Sequence, residues 1–298
     1  MGTRVKTPAA NGYNARAEAR RCPSVPQSVW RNNATAHRQR RTNRKYLPVA
    51  RRPAVVVGRV FRVRAVLVYN SGVDIDRELK DALQQILELC DEFDVHPRLI
   101  GGLAVRGFAR RKRFTHDIDL AISRNDKPNF IMVLKRLGFE YQDLTKFEGV
   151  KASKRVGNTS VEIHIAVERL WDMTSNQTYT LSPDSAQVAI DDAGNLLAPT
   201  VSAEDLLILK LMPLRDRDLG DVIALLLDLP TIDAKKFWVN CERTNNTRHI
   251  TAQLGKLENA LRSGDFREAW SEFYGAPLSA RDVLTVIEKI RSLQKAKR

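Results

Sequence analysis

Two glycines and three acids carry the chemistry open to this chain. Gly101 and Gly102 end an apolar, strand-like run, Pro97–Gly101, and open a segment with helical character. A strand that turns into a helix through glycine exposes unpartnered backbone N–H groups at the positive end of the helix dipole, which attracts phosphate. The missing Cβ lets that phosphate approach the backbone closely. Asp117 and Asp119 lie in a second apolar run, Asp117–Ile122. Alternate residues of a strand share a face, so the two carboxylates point one way while Ile118 and Leu120 point to the core. Two carboxylates on one face repel, and a cation between them relieves the repulsion. Glu162 stands between Val161 and Ile163 in SVEIHI, facing away from its apolar neighbours. It is the third candidate ligand and a candidate base for an attacking hydroxyl. Mg2+ (or Mn2+) held by Asp117, Asp119 and Glu162 takes carboxylate and phosphate oxygens together, which suits phosphoryl-type transfer from a nucleoside triphosphate. Taken singly, a Gly-Gly pair is a common turn and an acid a common solvated strand position; their order along the chain carries the argument.

The elements that position these residues follow from periodicity. Leu79, Leu83, Ile86, Leu87 and Cys90 recur at helical spacing over Asp74–Phe93. Gly102–Ala109 reads as a helix, and so does Pro128–Leu137, with proline at its start and Gly138 beyond its end. Phe139–Gln142, Glu148–Ser153 and Ser160–Ala166 read as strands, and residues 174–200 as short runs with a hairpin around Asp192-Ala193-Gly194-Asn195. Ser202 caps a helix whose first turn holds Glu204 and Asp205, and Pro213 ends it. Asp218–Leu229 continues as helix. Residues 233–293 are mostly helical, with breaks near Asn245-Asn246, Ser263-Gly264 and Gly275-Ala276-Pro277. The expected architecture is α+β: a mixed sheet flanked by helices over residues 73–200, then a helical region over 201–298.

Charge separates the rest. Of 298 residues with net charge +14, residues 1–72 hold 16 Lys and Arg against one acid, Glu18, so the remainder is nearly neutral. Residues 1–53 lack apolar patterning and are expected to be disordered, while Ala54–Tyr69 alternates like a strand. Three readings of 1–72 stand side by side: a basic tail, translated sequence upstream of a later start near Val73, or an organelle transit peptide. No function is placed on it. No apolar run reaches the roughly 20 residues of a membrane helix. Cys22, Cys90 and Cys241 show no metal or redox spacing, which fits a cytoplasmic setting. His116 and His164 read as ordinary strand or loop histidines rather than zinc ligands. Trp238, Trp270, Phe273 and Tyr274 read as core or interface rather than a base-stacking platform.

The order Gly-Gly, then Arg113-x-Thr115-x-Asp117-Ile118-Asp119-Leu120, resembles the nucleotidyltransferase superfamily with its polymerase-beta-like fold. It is most similar to the AbiEii-type nucleotidyltransferase-like proteins, the toxins of many type IV toxin–antitoxin systems. Ser202–Lys210 followed by Arg215-x-Arg217-Asp218-Leu219-x-Asp221-Val222 is similar to that family's later signature. The resemblance covers residues 97–229. It implies a nucleotidyltransferase-like mixed sheet and transfer of a nucleoside monophosphate to an acceptor hydroxyl on RNA or protein. It also implies a cognate antitoxin as partner, while the lack of a membrane-length apolar run argues for no membrane partner. Catalytic roles fall to Asp117, Asp119, Glu162 and Lys210. Nucleotide binding falls to Gly101, Gly102, Arg113, Thr115, Lys210 and Asp221, with Lys210 holding triphosphate as a compact point charge. Without the resemblance Lys210 reads as a snorkelling surface lysine, and Arg113 as part of a solvated basic loop. Arg215, Asp218 and Asp221 belong either to the site or to ion pairs fastening the helical region, with Asp218 leaning to the latter. Glu162-x-His164 also resembles the acid-x-His segment of small antibiotic nucleotidyltransferases, so drug modification is an alternative, and a non-catalytic binding module a second.

Overall fold

The computed structural model describes residues 69–111, 113–144, 148–157 and 159–297. Nearly all of residues 1–72, including the alternating run Ala54–Tyr69, lies outside these; Tyr69 itself opens a helix. That helix, α1 (Tyr69–Glu92), is followed by β1 (Arg98–Ile100), α2 (Gly101–Phe108), β2 (Asp117–Ile122), α3 (Lys127–Arg136), β3 (Glu140–Asp143), β4 (Val150–Val156) and β5 (Thr159–Val167). A short ribbon, β6 (Leu170–Asp172) and β7 (Gln177–Tyr179), precedes the hairpin of β8 (Ser185–Ala189) and β9 (Leu197–Val201). The helices α4 (Ala203–Leu211), α5 (Asp216–Asp228), α6 (Ala234–Arg243), α7 (Thr247–Ser263), α8 (Phe266–Tyr274) and α9 (Ala280–Ala296) complete the chain. The architecture is α+β, a mixed sheet flanked by helices and followed by a helical C-terminal region. No helix among the described residues is long and apolar enough to cross a membrane.

Seven strands form the main sheet in the order β3-β4-β5-β2-β1-β9-β8. The pairs β2–β5 and β1–β9 are parallel and the others antiparallel. Strict alternation explains β5: Val161, Ile163, Ile165 and Val167 are at most 3 % exposed, while Glu162 and His164 reach the other face. Helix α1 packs on β2 and β5 through Leu79, Leu83, Ile86 and Cys90, which are fully or almost fully buried. The central connector is α2, which touches β1, β2, α4 and α5, so the core runs unbroken from the sheet into the C-terminal helices. Burial pushes the Cys90 and Cys241 thiols up to about 12, so neither is reactive near neutral pH.

Periodicity alone does not reveal the β6–β7 ribbon. Its strands are three residues each, too short to show alternation. Local and distant polar contacts hold it. Asp172 Oδ2 accepts from the Ser175 amide at 2.6 Å and its hydroxyl at 2.5 Å, and Asn176 takes a left-handed φ of 56°. The ribbon's far end, Tyr179, is buried and donates its hydroxyl to Asp205. Asp205 is fully buried at the start of α4. It also accepts from Ser182, Ser202 and Asn240, while Ser202 caps the helix by accepting from the Asp205 amide at 3.2 Å. One carboxylate therefore ties the ribbon, the loop after it, α4 and α6 together.

Replacing Asp205 by Ala strands five buried donor groups, from four residues, at once. The expected loss is about 3–5 kcal/mol, the scale for one partner removed from a buried charged network, checked by urea unfolding of the full chain.

Candidate active site

The parallel register of β2 with β5 sets Asp117 beside Glu162 and Asp119 beside His164. All four side chains emerge on one face, and they are between 25 % and 43 % exposed. His164 Nδ1 lies 3.2 Å from Asp119 Oδ1 and 3.6 Å from Asp117 Oδ2. The hydrogen bond to Asp119, aided by the charges of Asp119 and Asp117, holds His164 above the usual imidazole range despite partial burial. Thr115 donates its hydroxyl to Asp117 Oδ1 at 2.8 Å. On the other side of β2, the antiparallel pairing of Ile100 with Asp119 delivers the next residue, Gly101, directly onto that carboxylate. Gly101 has φ 71°, and a Cβ there would sit 1.8 Å from Asp119 Oδ2. A Cβ on Gly102 would lie 2.8 Å from Thr115 Oγ1. Both positions need the absence of a side chain, and α2 starts with no side-chain cap on its amides.

A second group of charges faces this one. Lys210, on α4, places Nζ 2.8 Å from Asp221 Oδ2 and 3.4 Å from Asp218 Oδ1, both on α5. Arg113 grips Asp221 with two bonds of 2.5 and 2.9 Å, and Arg215 Nε lies 2.6 Å from Asp218. Both aspartates are fully buried. Burial works to raise the Asp221 carboxyl, but Lys210 and Arg113 outweigh it and hold it below the usual carboxylate range. Burial and then the neighbouring Asp221 charge push the Tyr274 hydroxyl up, so it stays protonated and donates to Asp221 at 2.9 Å. Three cations against two carboxylates leave a net positive wall.

The two walls enclose a cavity of about 400 Å³, lined by Gly101, Gly102, Arg113, Thr115, Asp117, Asp119, His164 and Lys210, with Arg215, Arg217 and Asp218. Seven of the residues singled out from the sequence thus meet around one space. Asp221 stands behind the wall and orients Lys210 and Arg113. Glu162 is next to Asp117 in register but does not line the cavity. Its Oε2 is 3.0 Å from Lys151 Nζ and 3.8 Å from His164 Nε2. His164 and Tyr274 are the residues that sequence reasoning set aside. The spacing of His164 two residues after Glu162 was the available signal for the first; no local signal marks the second.

The donor set fits a divalent cation. Asp117, Asp119 and His164 each offer one ligand atom, all within 4.8 Å of one another. Two carboxylates are hard oxygen donors that suit Mg2+ or Mn2+, while the imidazole is a softer partner.

No protein-family model matches this chain, and no curated protein matches it. Solved structures similar to it include the lincomycin-bound lincosamide antibiotic adenylyltransferase LnuA. That likeness has 19 % identity, spans 47 % of this chain and 91 % of that one, and gives a TM-score of 0.36. JHP933 from Helicobacter pylori is 12 % identical over 76 % of this chain and 93 % of its own, with a TM-score of 0.46. A tRNA-processing enzyme with CTP is 15 % identical over 71 % of this chain and 57 % of its own, with a TM-score of 0.30.

Proposed function

We propose that this chain transfers a nucleoside monophosphate from a nucleoside triphosphate to an acceptor hydroxyl and releases pyrophosphate. The observation that carries the proposal is the opposition of an acidic and a cationic wall across one cavity. A triphosphate has both needs at once: donors and cations for its oxygens, and carboxylates to hold the accompanying metal.

The roles follow from position. The amides at Gly101 and Gly102 bind phosphate oxygens at the open start of α2. Asp117 and Asp119 would hold a divalent cation, which supplies charge neutralisation at the reacting phosphate. The acceptor oxygen attacks the α-phosphorus, the bond from that phosphorus to the bridging oxygen breaks, and pyrophosphate leaves with the bridging oxygen. Lys210 and Arg215 neutralise the leaving group. Lys210 is held in place by Asp218 and Asp221, so little reorganisation accompanies the charge shift. The hydroxyl proton passes to the Glu162–His164 pair.

The test incubates the full chain with Mg2+ and each α-labelled triphosphate against total RNA, cell protein and small hydroxyl compounds. The first two are the acceptors that the motif resemblance implies. Label on any acceptor is expected, and Asp117→Asn with Asp119→Asn should lower it about 100-fold or more, the scale for losing a preorganised charge-stabilising group. The same variant should lose Mn2+ binding by electron paramagnetic resonance while remaining folded. Metal binding and label that both survive the double variant would refute the assignment. Gly101→Ala should cut transfer about 100-fold, as expected for a reacting group displaced by an ångström. Its stability should fall by more than about 1–2 kcal/mol, the strain of a left-handed alanine, because the added Cβ also overlaps Asp119; parallel kinetic and thermal-melt measurements read both effects.

A further inference from the structure

Asp119 and His164 border two cavities. The second, of about 320 Å³, shares Ile100, Asp119, His164, Leu170 and Trp171 with the first and continues past Leu144, Val150 and Ile165. Its walls differ in kind. The first cavity holds Lys210, Arg113, Arg215 and Arg217. The second is mainly aliphatic and aromatic, with Arg169 as the one Lys or Arg among the described residues that line it. Three basic residues on the neighbouring strands and loops are already engaged. Arg124 is 2.8 Å from Glu148, Lys127 is 2.8 Å from Asp143, and Lys151 is 3.0 Å from Glu162.

Charge sorts the two substrates between the two spaces. The triphosphate belongs with the cations, so pyrophosphate departs on the Lys210 side. In-line displacement brings the attacking oxygen to the α-phosphorus from the opposite side. Asp119 borders both spaces while Lys210 lines only the first, so the second cavity is the space beside the carboxylate that the cations leave free. A nucleic-acid strand needs a track of cations along its backbone, and the described residues of this cavity offer a single arginine. We infer that the second cavity is the acceptor subsite and that it takes a compact hydroxyl compound with an apolar body. This rests on the nucleotidyl-transfer reading and deepens it by naming the acceptor class. The bonds made and broken are those of that reaction: the acceptor oxygen joins the α-phosphorus, pyrophosphate carries off the bridging oxygen, and the hydroxyl proton goes to the Glu162–His164 pair, of which His164 borders both spaces.

The test uses the full chain, Mg2+ and α-labelled triphosphate with three probe acceptors: 4-phenylbutan-1-ol, glycerol and an oligomer of ten riboadenosines. Label on the phenyl alcohol with kcat/KM at least about tenfold above glycerol is expected, the discrimination an apolar pocket gives for added hydrocarbon. Butylbenzene, which lacks the hydroxyl, should compete with the alcohol. Leu144→Glu, at a half-exposed rim position, should raise the KM of the alcohol about tenfold. Preferential labelling of the oligomer would overturn the inference. So would butylbenzene competing with triphosphate, or Leu144→Glu raising the KM of the triphosphate in place of that of the alcohol. Release of pyrophosphate to water with no label on either alcohol overturns this inference alone. No turnover of any triphosphate, even to water, overturns the transfer reading and this inference with it.

Discussion

Asp221 is a carboxylate with no access to water, and its partners hold the site together. Transfer of a bare charge into a protein interior costs far more than a domain's net stability, so the group must be matched from every side. Here the match comes from Arg113 before the sheet strand β2, Lys210 on α4 and Tyr274 on α8. Three segments distant in sequence converge because one anion would otherwise be unsolvated. The helical region is thereby joined to the sheet by charge as well as by apolar contact. Gly220 contributes to this closeness, since a Cβ there would lie 2.8 Å from the Tyr274 ring.

The buried network also shapes the field in the cavity. Two aspartates below the surface fix three cations near it, and the side facing the cavity is positive in sum. On the facing strands the arrangement is reversed: Asp117 and Asp119 stand partly exposed with one imidazole between them. Helix α2 spans the gap, pointing its amide end at the junction of the two fields. Glycine at its first two positions lets backbone and carboxylate pack without an intervening side chain. The cationic and the acidic groups therefore come from different parts of the chain and meet at the middle strands of the sheet.

Local pattern made much of this legible. The Asp-x-Asp alternation, the glycines at the end of an apolar run and the Ser202 cap are all short-range signals, and each element forms close to where the pattern puts it. The strands β4 and β5 run a few residues longer than their apolar cores suggest, because pairing continues to the turn between them. What could not be read is tertiary. That His164 falls beside Asp119 depends on the register of two parallel strands, which no spacing in either strand specifies. That Tyr274 donates to Asp221 depends on how α8 returns to α5. The β6–β7 ribbon is held by Asp205, a residue that looks from sequence like an ordinary first-turn helix acid.

The distances along the chain have a consequence for the order in which the site comes into being. During synthesis the glycines and Asp117, Asp119 and His164 emerge first, and the acidic wall can form as soon as β1, β2 and β5 pair. Arg113 then waits for a partner 108 positions later, and that partner for a hydroxyl a further 53 positions on. A nascent chain thus holds the sheet carboxylates before it holds all the partners of the cationic wall. The set of partners around Asp221 is complete only when α8 brings Tyr274 to it, so a late-made helix finishes a cluster that an early-made loop begins.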